Sequence, residues 1–267
     1  MEKLEADSFF IEQQGVFIGQ DAARGPWSVD HCHAGPVTGL IARAVEAVIG
    51  GDKMLTRLTV DLLRPQPVAG LRVTAEMVRD GRKVATARAE VTDLEGRICA
   101  SATSMHIAEG DVGPVATAPV PPPPLVHAEA TPGRFPAREV AHDQPMIGHF
   151  IDVAYPPDKT REPGPTTIWM KTPPLLPGET PSSFQRLCPL ADCGNGISRN
   201  EELTDVGFMN ADITIVAHRR TMSDWLASRA ISHWHDTGLG LARAEILDEQ
   251  GPVASVLQTV LLSPNRK

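Results

Sequence analysis

The sequence predicts an α+β fold: two antiparallel sheets, each wrapped around a central helix. Three observations lead there. Residues 57–107 and again 212–262 are runs of strand-like segments separated by turn residues. A helical segment stands ahead of each run. A proline-rich stretch, PVATAPVPPPP at 114–124, lies between the two halves and cannot join a central strand.

The elements follow in order. FFIEQQGVFIGQ, 9–20, supplies the first strand candidates. In AGPVTGLIARAVEAVIGG, 34–51, Val37, Leu40, Ile41, Ala44, Val45 and Val48 recur at helical spacing, and Gly50 and Gly51 end the run. Only Arg43 and Glu46 are plainly polar, so this helix should be mostly buried. RLTVDLLRP, LRVTAEMVRD, VATARAEVTD and RICASATSMHI read as four strands, with DGRK as a hairpin turn. In the second half, HFIDVAYP and TTIWMKTP precede a central helix over 187–199, LCPLADCGNGISR. ADITIVAHRR, LASRAISHWH, LARAEILDE and PVASVLQTVLL then repeat the four-strand meander.

The two meanders are copies of one unit. Laid over each other without a gap, residues 57–107 and 212–262 agree at ten of 51 positions. ARAE coincides with ARAE, DLEG with DEQG, Thr59 with Thr214 and Arg64 with Arg219. A sheet filled by one helix, present twice, is a double hotdog. The expected division is an N-terminal hotdog at 1–108, a proline-rich linker at 109–140 and a C-terminal hotdog at 141–267.

Composition narrows the function. The net charge of −8 and the lack of a basic run argue against nucleic acid or an anionic membrane as partner. No apolar run approaches the roughly 20 residues of a membrane span, and the acidic start MEKLEADSFF is unlike a signal peptide. Cys32, Cys99, Cys188 and Cys193 form no CxxC pair. A reduced, cytoplasmic protein without a metal site is expected, and a homo-oligomer, since sheet edges and helix faces invite pairing.

HAGPVTGLIARAVE, LADCGNG, MNADITIVAHR and GLGLARAEILDEQGPVASVLQTVLL, in that order, resemble type II (TesB-like) acyl-CoA thioesterases. The resemblance implies hydrolysis of fatty acyl-CoA, or a related thioester, to free acid and coenzyme A, with no cofactor beyond the coenzyme A of the substrate. It implies a water held by an Asp on the central helix, a Ser or Thr at the start of the next strand and a Gln on the last strand. By position these are Asp192, Asn210 and Gln258. Asn210 departs from the hydroxyl of the pattern. A carboxylate can accept the water's proton, and the two amides can orient it.

Gly194 and Gly196 would let substrate approach the backbone. His33 and Gly35, at the start of the first helix, and Arg219 are further substrate-binding candidates. Backbone N–H groups at a helix start would meet the oxyanion. Under the gapless overlay the counterparts of Asp192, Asn210 and Gln258 are Val37, Leu55 and Thr103, so the first half lacks the trio. His31 and His33 around Cys32 are a weak metal or Cys–His signal, as are His233 and His235. His218, Arg219 and Arg220 are candidates for the phosphates of coenzyme A. Two other readings remain open here: an acyl-CoA-binding protein with little catalysis, and a hotdog enoyl-CoA hydratase using an Asp–His pair in VDHCH, 29–33.

Overall fold

The structure, a computed structural model, describes residues 3–116, 125–136, 142–157, 159, 162–201 and 206–264. β1 (Phe10–Gln13) and β2 (Val16–Gly19) make a separate hairpin, closed by Gln14 and Gly15 at φ 52° and 75°. The buried helix is α1 (Ala34–Ile49), capped by His33 and stopped at Gly50, whose φ is 86°. Val37, Leu40, Ile41 and Val45 face the core, as their spacing predicts. β3 (Lys53–Leu62), β4 (Arg72–Asp80), β5 (Val84–Thr92) and β6 (Ile98–Ala108) are the four strands of the first meander.

The second half contributes β7 (Thr131–Pro132), β8 (Asp152–Tyr155) and β9 (Thr166–Lys171). Its central helix is broken in two, α2 (Ser183–Ala191) and α3 (Gly194–Ile197). β10 (Val206–Asn210), β11 (Asp212–Ala217), β12 (Leu226–Trp234), β13 (Leu239–Asp248) and β14 (Gly251–Pro264) complete the chain. Much of the proline run, 117–124, lies outside the described residues. Part of the expected 109–140 linker belongs to the second half: β7 pairs with β8, and Leu125 and Ala130 pack against the cluster around Trp169.

The two expected sheets are joined edge to edge. The order is β4-β5-β6-β3-β11-β14-β13-β12-β9-β8-β7, with β10 also on β14. The seam is the antiparallel pair β3–β11, in which Thr59 faces Thr214. These are equivalent positions of the repeat, 155 residues apart, with their hydroxyls at 3.3 Å. A pseudo-two-fold axis therefore passes through this pair, and pairing at the seam removes an exposed edge from each meander.

Both copies carry a one-residue bulge at the same place. β3 shifts register against β6 between Leu55 and Arg57. In the second copy Asn210 faces Val260 while Thr214 faces Leu257, so one extra residue lies between them. The bulge inverts the inside–outside alternation. Asn210 and Phe208 thereby share the helix side of the sheet with Ile213 and Ile215.

The hairpins between the last two strands differ in length. In the first copy Asp93 N–H bonds to the Arg97 carbonyl, whereas in the second Asp248 pairs with Gly251. The second loop is one residue shorter, so the gapless overlay slips by one beyond it. Val91 faces Ala100 and Ile246 faces Ala254, which restores the identities Ala100/Ala254 and Ser101/Ser255. The counterpart of Gln258 is accordingly the buried Ser104, not Thr103, which points outward.

Leu58, fully buried on β3 and facing Ile215 across the seam, tests whether the halves are one unit. Leu58→Ala should cost about 2–5 kcal/mol. Denaturant unfolding followed by tryptophan fluorescence and far-UV circular dichroism should show one coincident transition at a lower midpoint, rather than two.

Candidate active site

The carboxylate of Asp192 sits at the break between α2 and α3, where Asp192 and Cys193 keep αR geometry but the helix does not continue. It is 5% exposed. Four donors converge on it from three directions. Asn210 Nδ2, at the end of β10, donates to Oδ1 at 2.9 Å. Gln258 Nε2, on β14, donates to Oδ1 at 3.3 Å. Gly35 N–H, in the first turn of α1, donates to Oδ2 at 2.9 Å. His33 Nδ1 lies 2.8 Å from Oδ2. Gly35 N–H is also 3.3 Å from His33 Nδ1. The shorter bond to Asp192 satisfies it and leaves Nδ1 to donate to the carboxylate.

Burial pushes the pKa of Asp192 up. The charge of His33 when protonated, then its hydrogen bond, the Asn210 amide and Gly35 N–H, outweigh it and hold the carboxyl below the ordinary range. The group is a well-solvated anion whose solvent is protein.

Sequence reasoning missed Asn195, which joins the two amides. Its backbone N–H donates to Gln258 Oε1 at 3.1 Å, and its Nδ2 donates to Asn210 Oδ1 at 3.3 Å. Its signal was position: Asn195 stands three residues after Asp192, one helical turn on, between the two glycines.

The structure thus brings Asp192, Asn210, Gln258, His33 and Gly35 together. The glycines act differently from one another. A Cβ on Gly35 would lie 2.9 Å from both Cα and O of Pro189, so α1 and α2 touch backbone to backbone there. A Cβ on Gly194 would lie 3.0 Å from Gln258 Oε1. At Gly196, among the described residues, nothing beyond its chain neighbours and its own helix backbone stands within 4 Å of such a Cβ.

Arg219 is a correction. Its five N–H groups go to Pro252 O, Arg220 O, both Asp248 oxygens and Gly251 O. Asp248 is 1% exposed, and Arg219 neutralises it; no donor is left for a phosphate. Arg220 is paired with Glu109. The Asp–His pair sought within VDHCH is not formed either. Asp30 is exposed, and the carboxylate that meets His33 is Asp192. Burial pushes the Cys32 thiol up to about 12, so it is no thiolate nucleophile.

Arg219→Ala should lower stability by roughly 1–3 kcal/mol while leaving KM for acyl-CoA unchanged, measured by thermal melting and steady-state kinetics. Gly35→Ala should cost about 1–3 kcal/mol. Gly196→Ala should shift stability by less than about 1 kcal/mol. Asp192 and Asp248 both titrate below the usual carboxylate range, Asp248 because Arg219 and backbone N–H groups outweigh its burial. Their contribution to stability is therefore complete above the unfolded value of about 3.9 and is lost as pH falls through the lower folded values. Acid titration of the midpoint should show this loss, and in Arg219→Ala it should be smaller, because burial without Arg219 brings the folded value of Asp248 back up toward its unfolded one.

Family models match both halves: the acyl-CoA thioesterase N-terminal domain over residues 23–107 and the acyl-CoA thioesterase C-terminal domain over 122–262. Among curated proteins no significant match is found. Solved structures share the fold at low identity. A protein of Novosphingobium aromaticivorans DSM 12444 is 19% identical with a TM-score of 0.75, covering 96% of this chain and 98% of that one. The tesB protein of Mycobacterium avium subs paratuberculosis is 16% identical with a TM-score of 0.68, covering 95% and 96%. Acyl-CoA thioesterase II TesB2 of Mycobacterium marinum is 18% identical with a TM-score of 0.63, covering 98% of each chain. With a double hotdog, a buried carboxylate–amide cluster in its second half and both domain models in their expected order, the chain belongs to the acyl-CoA thioesterase family.

Proposed function

We propose that this thioesterase hydrolyses fatty acyl-CoA by attack of a water activated at the Asp192 cluster. The observation that carries the reading is the convergence of Asp192, Asn210 and Gln258 from three elements of the second half, with His33 and Gly35 of the first half closing on the same carboxylate. A buried anion surrounded by fixed amides is a preorganised polar site; it needs no reorganisation when charge develops. Hydrolysis by this route requires no metal and no redox cofactor. At the start of α1, Gly35 N–H is engaged by Asp192 and Pro36 has no N–H, which leaves Ala34 N–H as the first-turn donor for an oxyanion.

Phe208, Val260 and Ala242 line the helix side of the sheet next to Asn210, and Trp27 and Trp234 close on Phe208 with ring centroids 5.7 and 5.6 Å away. This apolar wall suits a fatty chain better than a polar acyl group. Four free, buried cysteines suit a reducing compartment, consistent with a cytoplasmic enzyme. The outer sheet face exposes Met209, Leu239, Leu241, Leu257 and Leu261, which supports pairing of copies.

A panel of saturated acyl-CoA substrates, followed by release of free thiol, tests the reading. Asp192→Asn should lose turnover by at least about 100-fold and still bind acyl-CoA in equilibrium dialysis. Full turnover in Asp192→Asn would refute the assignment.

A further inference from the structure

We propose that His33, rather than Asp192, takes the proton from the attacking water, with Asp192 as its orienting partner. The proposal rests on the Asp192-centred reading above and deepens it.

A carboxylate offers about four acceptor positions. At Asp192 four donors occupy them: Asn210 and Gln258 on Oδ1, Gly35 and His33 on Oδ2. A water that passed its proton to Asp192 would first have to displace one. Asn210 sharpens the point. A hydroxyl could turn its oxygen toward a water, but this amide is held with its NH2 on Oδ1 by Asn195.

His33 has the complementary properties. Its Nδ1–H is committed to Asp192, so in the neutral ring Nε2 carries the lone pair. Among the described residues no partner is bonded to Nε2. The side chain is 14% exposed against 5% for Asp192, so the imidazole is the more accessible member of the pair. A buried carboxylate on Nδ1 fixes the tautomer and stabilises the imidazolium that forms.

The step balances with water alone. Nε2 removes a proton from water as the water oxygen bonds to the thioester carbonyl carbon, giving a tetrahedral oxyanion. Collapse breaks the C–S bond, and the proton on Nε2 passes to the departing thiolate. The products are the acid and the thiol of coenzyme A, with His33 neutral again.

The test uses the full-length protein and the acyl-CoA that turns over fastest. His33→Asn puts a side chain favoured at helix starts in this position and removes the base. Its kcat should fall by about 10²–10⁴, with KM within about threefold and a melting temperature near wild type. Added imidazole should restore part of the turnover of His33→Ala, rising with imidazole concentration, and none of that of Asp192→Asn. A kcat for His33→Asn within threefold of wild type overturns the proposal. If Asp192→Asn is then inactive, the reading of the site stands and only the proton acceptor is wrong; if both stay active, the site reading falls too. Loss of acyl-CoA binding in both His33 variants, with no response to imidazole, would make His33 a structural residue and also overturn the proposal.

Discussion

The molecule is organised around one buried negative charge. Asp192 lies between the halves, and removing a carboxylate from water is tolerable only where polar partners replace the water. Its partners come from the start of α1, the end of β10 and the middle of β14. Any shift of one half against the other would take Gly35 and His33, two of its four donors, away from the charge. The carboxylate is therefore both the centre of the chemistry and the peg that registers α1 against α2, and Gly35 is the residue small enough to permit the contact.

Much of this was written locally. Strands alternate inside and outside with a period of two, α1 has a broad apolar stripe, and the repeat announces duplication. These signals concern neighbours in sequence, and the elements lie close to where they predict. The contact between Gly35 and Asp192 spans 157 residues, and no periodicity encodes it. The joining of the sheets at Thr59 and Thr214 is likewise a tertiary choice, visible beforehand only as two matching threonines. Arg219 looked like a phosphate ligand because sequence shows charge but not partners. Its partner, Asp248, is one strand hairpin away and almost wholly buried. The misplaced counterpart of Gln258 came from a single residue missing from a turn, which a gapless comparison cannot see.

The pseudo-symmetry makes the asymmetry of function legible. Each central helix receives a carboxylate of the other half near its N-terminus. α1 receives Asp192; α2 receives Glu46, through the Ser182 hydroxyl at 2.8 Å and the Gln185 amide at 2.7 Å. The consequences are opposite. Burial dominates at Glu46 and raises its pKa, whereas at Asp192 the donors win. Among the lowering causes at Asp192 the charge of His33 comes first, and the sheet beneath adds the Asn210 amide. Where the second half presents Asn210 and Gln258, the first presents Leu55 and Ser104, and Ser104 is occupied with Ala87 and His106. Duplication supplied two similar frames, and the two sheet amides complete only one.

The direction of each amide follows from the same network. Asn and Gln can each present oxygen or nitrogen to a neighbour, and only their partners decide which. Asn195 decides twice. Its backbone N–H claims Gln258 Oε1, and its side-chain NH2 claims Asn210 Oδ1. Both nitrogens are thereby turned to Asp192. Among the described residues Asn195 bonds to neither carboxylate oxygen; together with the Asp212 carbonyl, which accepts from Asn210 Nδ2 at 3.3 Å, it keeps the amides from offering their oxygens to an anion that would repel them. α3 is only four residues long, and it holds that N–H and that side chain beside the sheet. The break after α2 is thus the feature that lets one short segment carry the anion and also orient the groups that stabilise it.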